Sequence, residues 1–196
     1  MNIRFVNMVR LFDEYYKTIE KSQVFQSHKA VIDTEATRQY QALQQNEAGR
    51  RNLISSSTSL SLTDNDRVAM QAKVRELESD FVRKREAFQQ FVNGKNNDLK
   101  VTFANFRNEI VAELKVAIAE YAKTQKIDLI LDQTGFSGNN VPVVAYFDAE
   151  KDVTDALLKD LNKGHEEDVK KALAARAEAA KKAAEAKAAA PKVIKA

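Results

Sequence analysis

The sequence contains no cysteine, which removes thiolate metal sites, a cysteine nucleophile and any disulfide framework. That absence suits either redox compartment and does not locate the protein. Proline occurs 2 times and glycine 5 times in 196 residues. An all-β sandwich needs a turn roughly every ten residues, and so few breakers cannot supply them. Tryptophan is absent too, and apolar residues are spread thinly. No run of about eighteen apolar residues exists, so no segment reads as a membrane-spanning helix. The opening Met1-Asn2-Ile3-Arg4-Phe5-Val6 lacks the basic and apolar regions of a signal peptide. The expectation is therefore a cytosolic protein, or a processed chain with an added initiator Met.

What is present is charge and helix-forming residues. Charged side chains make up 30% of the sequence and hydrophobic ones 44%, with Ala, Lys, Glu, Gln and Arg abundant. Such a composition points to long helices. With a thin apolar content, stability comes more easily from paired helices or oligomers than from one compact core. The net charge of +3 sits at one end. From His165 onward there are 8 basic residues against 5 acidic, leaving 23 of each sign in the body through Gly164. A neutral body is a poor nucleic-acid platform.

Ile3 to Met8 is rich in β-formers and reads as a strand. From Val9 the pattern turns helical, with Phe12, Tyr16 and Ile19 on one stripe and Val24, Val31, Ile32, Tyr40 and Leu43 continuing it more sparsely. The Ser-rich stretch Ser55 to Ser61 ends this helix, and Thr63-Asp64-Asn65-Asp66 supplies oxygens to cap the next. That second helix carries Met70, Val74, Leu77, Phe81, Phe88 and Phe91, then Leu99, Phe103, Phe106, Ile110, Leu114, Ala117 and Tyr121. Steps of four and three place them on a coiled-coil seam. Asn93-Gly94-Lys95-Asn96-Asn97 interrupts the seam, where a bend or soft segment is expected. The two helices are expected to pair antiparallel, more loosely toward the tip, where the stripe on the first thins. Beyond Lys123, Ile127-Asp128-Leu129-Ile130-Leu131-Asp132 reads as a strand with Ile127, Leu129 and Leu131 on one face. Val141 to Phe147 reads as another strand, after a loop holding Gly135 and Gly138. A short helix from Asp152 to Leu161 and an Ala/Lys/Glu-rich tail complete the chain. The expected boundaries are 1–15, an arm over 16–122 with its tip near 55–63, a second body segment at 123–164, and a tail at 165–196.

Two blocks resemble the Skp/OmpH family of periplasmic chaperones. One is Arg4-Phe5-Val6-Asn7-Met8-Val9-Arg10-Leu11-Phe12. The other is Lys126-Ile127-Asp128-Leu129-Ile130-Leu131-Asp132, followed by Val143 to Tyr146 and then Asp152-Val153-Thr154-Asp155-Ala156-Leu157-Leu158-Lys159-Asp160-Leu161. With a long helical hairpin between them, their order matches the family across residues 3 to 162. The resemblance implies an α+β, mostly helical fold: a small β body assembled by trimerisation, with one long antiparallel helical-hairpin arm per chain. It implies a homotrimer, not an enzyme, that holds unfolded outer-membrane β-barrel proteins between its arms in the periplasm without ATP or any cofactor. Lipopolysaccharide or a membrane surface is a further partner to be expected, and Arg83, Lys84 and Arg85 on the arm are candidates to meet acidic groups on a client or lipid. The neutral body departs from the basic character of the best-known members, and the tail lies beyond the family's usual end.

Expected to form the trimer body are Ile3, Phe5, Val6, Ile127, Leu129, Leu131, Val143 and Val144. Phe103 and Phe106 are expected in the coiled-coil core. Phe81, Phe88 and Phe91, with few partners opposite, are divided between core and client surface, as are Tyr40, Leu53 and Ile54 near the tip. Asp148, Glu150, Asp152 and Asp155 do not fit a calcium loop, because Val153 stands where glycine is needed and Lys159 where the bidentate Glu belongs. They read as loop and cap residues. Asp128 and Asp132 read as polar positions on a sheet's outer face, and His28 and His165 as surface residues. Gly135 and Gly138 lack the Lys-Ser/Thr of a phosphate loop. Two other functions fit the same features: a coiled-coil scaffold of the cell envelope, and nucleic-acid binding through the tail, which Glu178 and Glu185 disfavour by interrupting its charge.

Overall fold

The computed structural model describes residues 1–57 and 63–189. Strand β1 (Ile3–Val6) leads into helix α1 (Met8–Glu14) and the long helix α2 (Tyr16–Ser57). Helix α3 (Asp64–Thr124) pairs with α2 as a hairpin and is followed by strand β2 (Leu129–Asp132). A single 3-10 turn (Ala149–Lys151), helix α4 (Thr154–Leu161) and helix α5 (Glu166–Ala189) end the described chain. The mostly helical class with a small sheet is thus the one expected from sequence. Two compact units divide the chain: Met1–Val24 with Asn105–Ala196, and Phe25–Ala104.

In the first unit β1 and β2 pair in parallel, with Ile3 opposite Leu129 and Phe5 opposite Leu131. Parallel neighbours need a long crossover, and here the helices between the two strands supply it. The other edge of β1 is also used, since the Val153 amide donates to the Phe5 carbonyl at 2.9 Å. The core gathers Val6, Leu11, Tyr15, Phe106, Ile110, Leu114, Val153, Leu157 and Leu158. Phe106, Ile110 and Leu114 recur every four residues, which keeps them on one face of α3. Burying each such side chain contributes ~1.5–3 kcal/mol before entropy is counted.

Polar side chains close the element ends. Asn7 caps α1 by accepting from the Arg10 amide at 2.8 Å, and its own amide donates to the Thr154 hydroxyl at 2.8 Å. Asp132 accepts from the amides of Met8 and Thr134. Asp152 accepts from the Thr154 amide at 2.8 Å and from the Gln133 side chain at 2.8 Å. Burial raises the Asp152 pKa, but these bonds outweigh it and leave the carboxyl below its ordinary value.

Several expectations are corrected. The first long helix breaks at Tyr15, whose backbone is extended (φ −70°, ψ 129°). On β2, Ile130 and Asp132 turn toward the chain's own interior, while Leu129 and Leu131 are exposed. Both faces of that strand carry apolar residues, so alternation alone did not show which one this chain covers. Asp132 is accordingly a part-buried cap, whereas Asp128 is exposed and accepts from the Asn2 amide. Val141 to Phe147 forms no strand; its one bridge is Phe136 to Pro142. Helix α3 runs unbroken through Asn93-Gly94-Lys95, because one glycine costs only about 1 kcal/mol. His165 is half-buried, stacked on Tyr16 with ring centroids 3.8 Å apart.

In the second unit the facing pairs are Phe25 with Phe103, Tyr40 with Phe88, and Asn46 with Asp80. From Phe25 to Tyr40 the fifteen residues outward on α2 are matched by fifteen back on α3, as an antiparallel pair requires, and from there to Asn46 six are matched by eight. Thr63 caps α3 by accepting from the Asp66 amide at 3.2 Å. The end of α2 returns the Ser56 and Ser57 hydroxyls to the carbonyls of Asn52 and Ile54. The expected tip at 55–63 falls mostly outside the described residues.

Candidate functional site

Two surfaces stand out, one in each unit. In the second unit, Leu43 and Leu99 are the only buried apolar side chains among the described residues. Phe81, Phe88, Phe91 and Leu53 are half-buried, Tyr40 is 52% exposed, and Ile54 is exposed. Phe88 is not isolated, since its ring lies 6.2 Å from that of Tyr40. Phe103, expected in the core, is 46% exposed although its ring meets Phe25 at 5.6 Å. The sequence stripe included Val31, which is exposed, and missed Val68, Val82 and Val101, which are exposed on α3. They sit off the coiled-coil seam, and a stretch of β-branched residues on a polar helix face was the available signal.

Charge pairs hold the polar faces of this unit. Glu35 accepts from Arg38 and Gln39, and Glu47 from Arg50 and Arg51. The neighbouring guanidinium donors, Arg38 first for one and Arg50 first for the other, hold each carboxyl down to about 2. Lys84 and then Arg83 lower Asp80 in the same way. These are short-range pairs within single helices.

The first unit presents a different surface. Its sheet has two strands among the described residues, so the edge of β2 away from β1 is open. On β2 itself Leu129 and Leu131 are exposed, and in the segment that follows Val143 is 65% and Tyr146 87% exposed. A groove of about 790 Å³ runs alongside, lined by Val9, Phe12, Val111, Ile118, Leu129 and Ile130 among others. Of the residues expected to build the trimer body, Val6 is buried within the chain. Ile3, Phe5, Ile127 and Val144 are half-buried, with Phe5 against Phe147 at 4.8 Å. Leu129, Leu131 and Val143 face outward.

Where the arm joins the body, Glu113 accepts from Lys17 at 2.8 Å and from the Tyr15 hydroxyl at 3.0 Å. These bonds, Lys17 first, lower the Glu113 carboxyl. Burial, then the bond to Glu113, pushes the Tyr15 hydroxyl up to about 12. Lys21 pairs with Glu109 one turn further out. These pairs fix the root of the hairpin; they are not arranged around a cavity. The chemistry available across both units is apolar contact, hydrogen bonding and charge pairing.

A family model described as Outer membrane protein (OmpH-like) matches residues 2–161. No curated protein matches the chain. The matched region ends with α4, so α5 lies outside it.

Proposed function

The chain belongs to the OmpH-like (Skp) family, and on that premise we propose that it is an ATP-independent holdase working as a homotrimer. The family is one of non-enzymatic periplasmic chaperones for outer-membrane proteins. Among the described residues no helix is long and apolar enough to cross a membrane. The client is an unfolded outer-membrane β-barrel chain, held in the cavity between the arms of three copies.

One observation carries this reading: a hairpin whose two long helices share only two buried apolar residues among those described between Phe25 and Ala104. A scaffold that bound other helices permanently would have a saturated seam. Half-buried Phe81, Phe88 and Phe91 beside exposed Tyr40 and Ile54 instead offer many weak contacts. An unfolded β-barrel chain alternates apolar and polar residues, so its aggregation is blocked by dispersed contacts and not by one fitted pocket. The open edge of β2 and the outward Leu129, Leu131 and Val143 support assembly of the body, because an uncovered strand edge with apolar neighbours favours pairing with another chain.

The test is to dilute a urea-unfolded outer-membrane β-barrel protein into this protein and record native masses of the soluble fraction. Three chains with one client is the expected species. A precipitated client beside a free oligomer would contradict the holdase reading and favour the envelope scaffold.

A further inference from the structure

The break at Tyr15 leaves backbone groups that a continuous helix would pair internally. One side chain from the far end of the chain meets two of them. Asn162, only 6% exposed, accepts from the Tyr16 amide at 2.8 Å and donates to the Glu14 carbonyl at 2.9 Å. Its amide thus stands in for a peptide unit across the gap.

The residues that follow continue around the same joint. Gly164, at φ +84°, turns the chain as few other residues would, and its amide donates to Glu166 at 2.9 Å. His165 lies flat on Tyr16, the ring planes 5° apart. Val169 is buried, and Arg176 donates to the Asp13 carbonyl at 3.0 Å. The last turn of α1, the break and the first turn of α2 are therefore each held by a residue between Asn162 and Arg176. Glu166, Glu167 and Asp168 occupy the first turn of α5, where negative charge favours the helix.

We infer that Asn162–Arg176, lying past the family-matched region, is a strut that locks the α1–α2 joint. The start of α5 is then a structural part of the body and not a solvated appendage. The strut acts through backbone groups at Asp13, Glu14 and Tyr16 and through the Tyr16 ring, so its effect is local. It operates whether or not the chain captures clients, and its failure would leave the holdase reading intact.

Residue-resolved hydrogen exchange on the full-length protein tests it. Asn162→Ala removes both bonds at the gap and is expected to speed exchange of the Tyr16 amide by about tenfold, in line with loss of one buried hydrogen bond. The β1 and β2 amides should be unchanged. The double variant His165→Ala, Arg176→Ala keeps Asn162 and should speed the Tyr16 to Ile19 amides several-fold. Unchanged or slower exchange at the joint in both variants overturns the inference. So does a rise as large in β1 and β2 as at the joint, because a general loss of stability is not a strut.

Discussion

Helices α2 and α3 run through both units, yet they pack by different rules in each. Near the body they share the environment of Leu11, Ile110 and Leu114, all at 0% exposure, and of the Tyr15–Glu113–Lys17 cluster. Between Phe25 and Ala104 they remain antiparallel with only Leu43 and Leu99 buried among the described apolar residues. Backbone geometry is common to both, so the difference lies in side chains. One end spends apolar area on a fixed core, and the other leaves it available.

Breaking a core contact should separate the units most. Leu114→Ala is expected to lower unfolding free energy by ~2–5 kcal/mol, the range for a large side chain removed from a closed site. Leu43→Ala, in the thin seam, should cost clearly less in the same urea titration followed by circular dichroism. Equal costs would erase the distinction between the two regions.

The hairpin root gives a pH signature. Tyr15 in the folded protein titrates at about 12, above its ordinary value of 10.0. A raised acid contributes stability fully below the unfolded value, and that contribution is lost as pH rises through the folded one. Between pH 10 and 12 the native state should lose on the order of 2 kcal/mol through this group. Tyr15→Phe should flatten that part of the alkaline stability profile, though the remaining tyrosines still titrate.

The aromatic residues of the second unit sharpen the comparison from the functional side. Replacing Tyr40, Phe81, Phe88 and Phe91 together with Ser should weaken client retention by about tenfold, a loss of roughly 1.4 kcal/mol. The thermal midpoint of the body should stay unchanged. A drop in that midpoint with full client retention would assign these residues to packing. The smallest effect is expected at the exposed Glu35–Arg38 pair: Arg38→Gln should leave the unfolding midpoint within experimental scatter, as exposed pairs of this kind contribute little.

Much of the fold was legible from periodicity. The seam from Phe106 through Ile110 to Leu114 lies on the core face of α3, and the Thr63 cap lies where short polar residues precede that helix. Other features depended on partners distant in sequence. The break at Tyr15 contains no proline or glycine, and the amide that satisfies it belongs to Asn162. On β2 the alternation puts Leu129 and Leu131 on one face, and Ile130 on the opposite face meets this chain's own core. The Val141–Phe147 segment has strand composition, but it joins neither β1 nor β2 in the sheet. Phe103 followed the seam spacing and its ring meets that of Phe25, yet it stays 46% exposed. Spacing singled out the half-buried aromatics of the second unit but not the exposed Val68, Val82 and Val101, which do not follow the seam.

The absence of cysteine makes the most direct measurement simple. Single variants Tyr40→Cys and Val82→Cys in the second unit, and Lys159→Cys on α4, would each carry a thiol-linked photo-crosslinker. After an unfolded outer-membrane β-barrel protein is added, the two arm positions should crosslink to it and the α4 position should not. Equal or stronger crosslinking from α4 would contradict the account that the loosely packed hairpin is the client-holding surface.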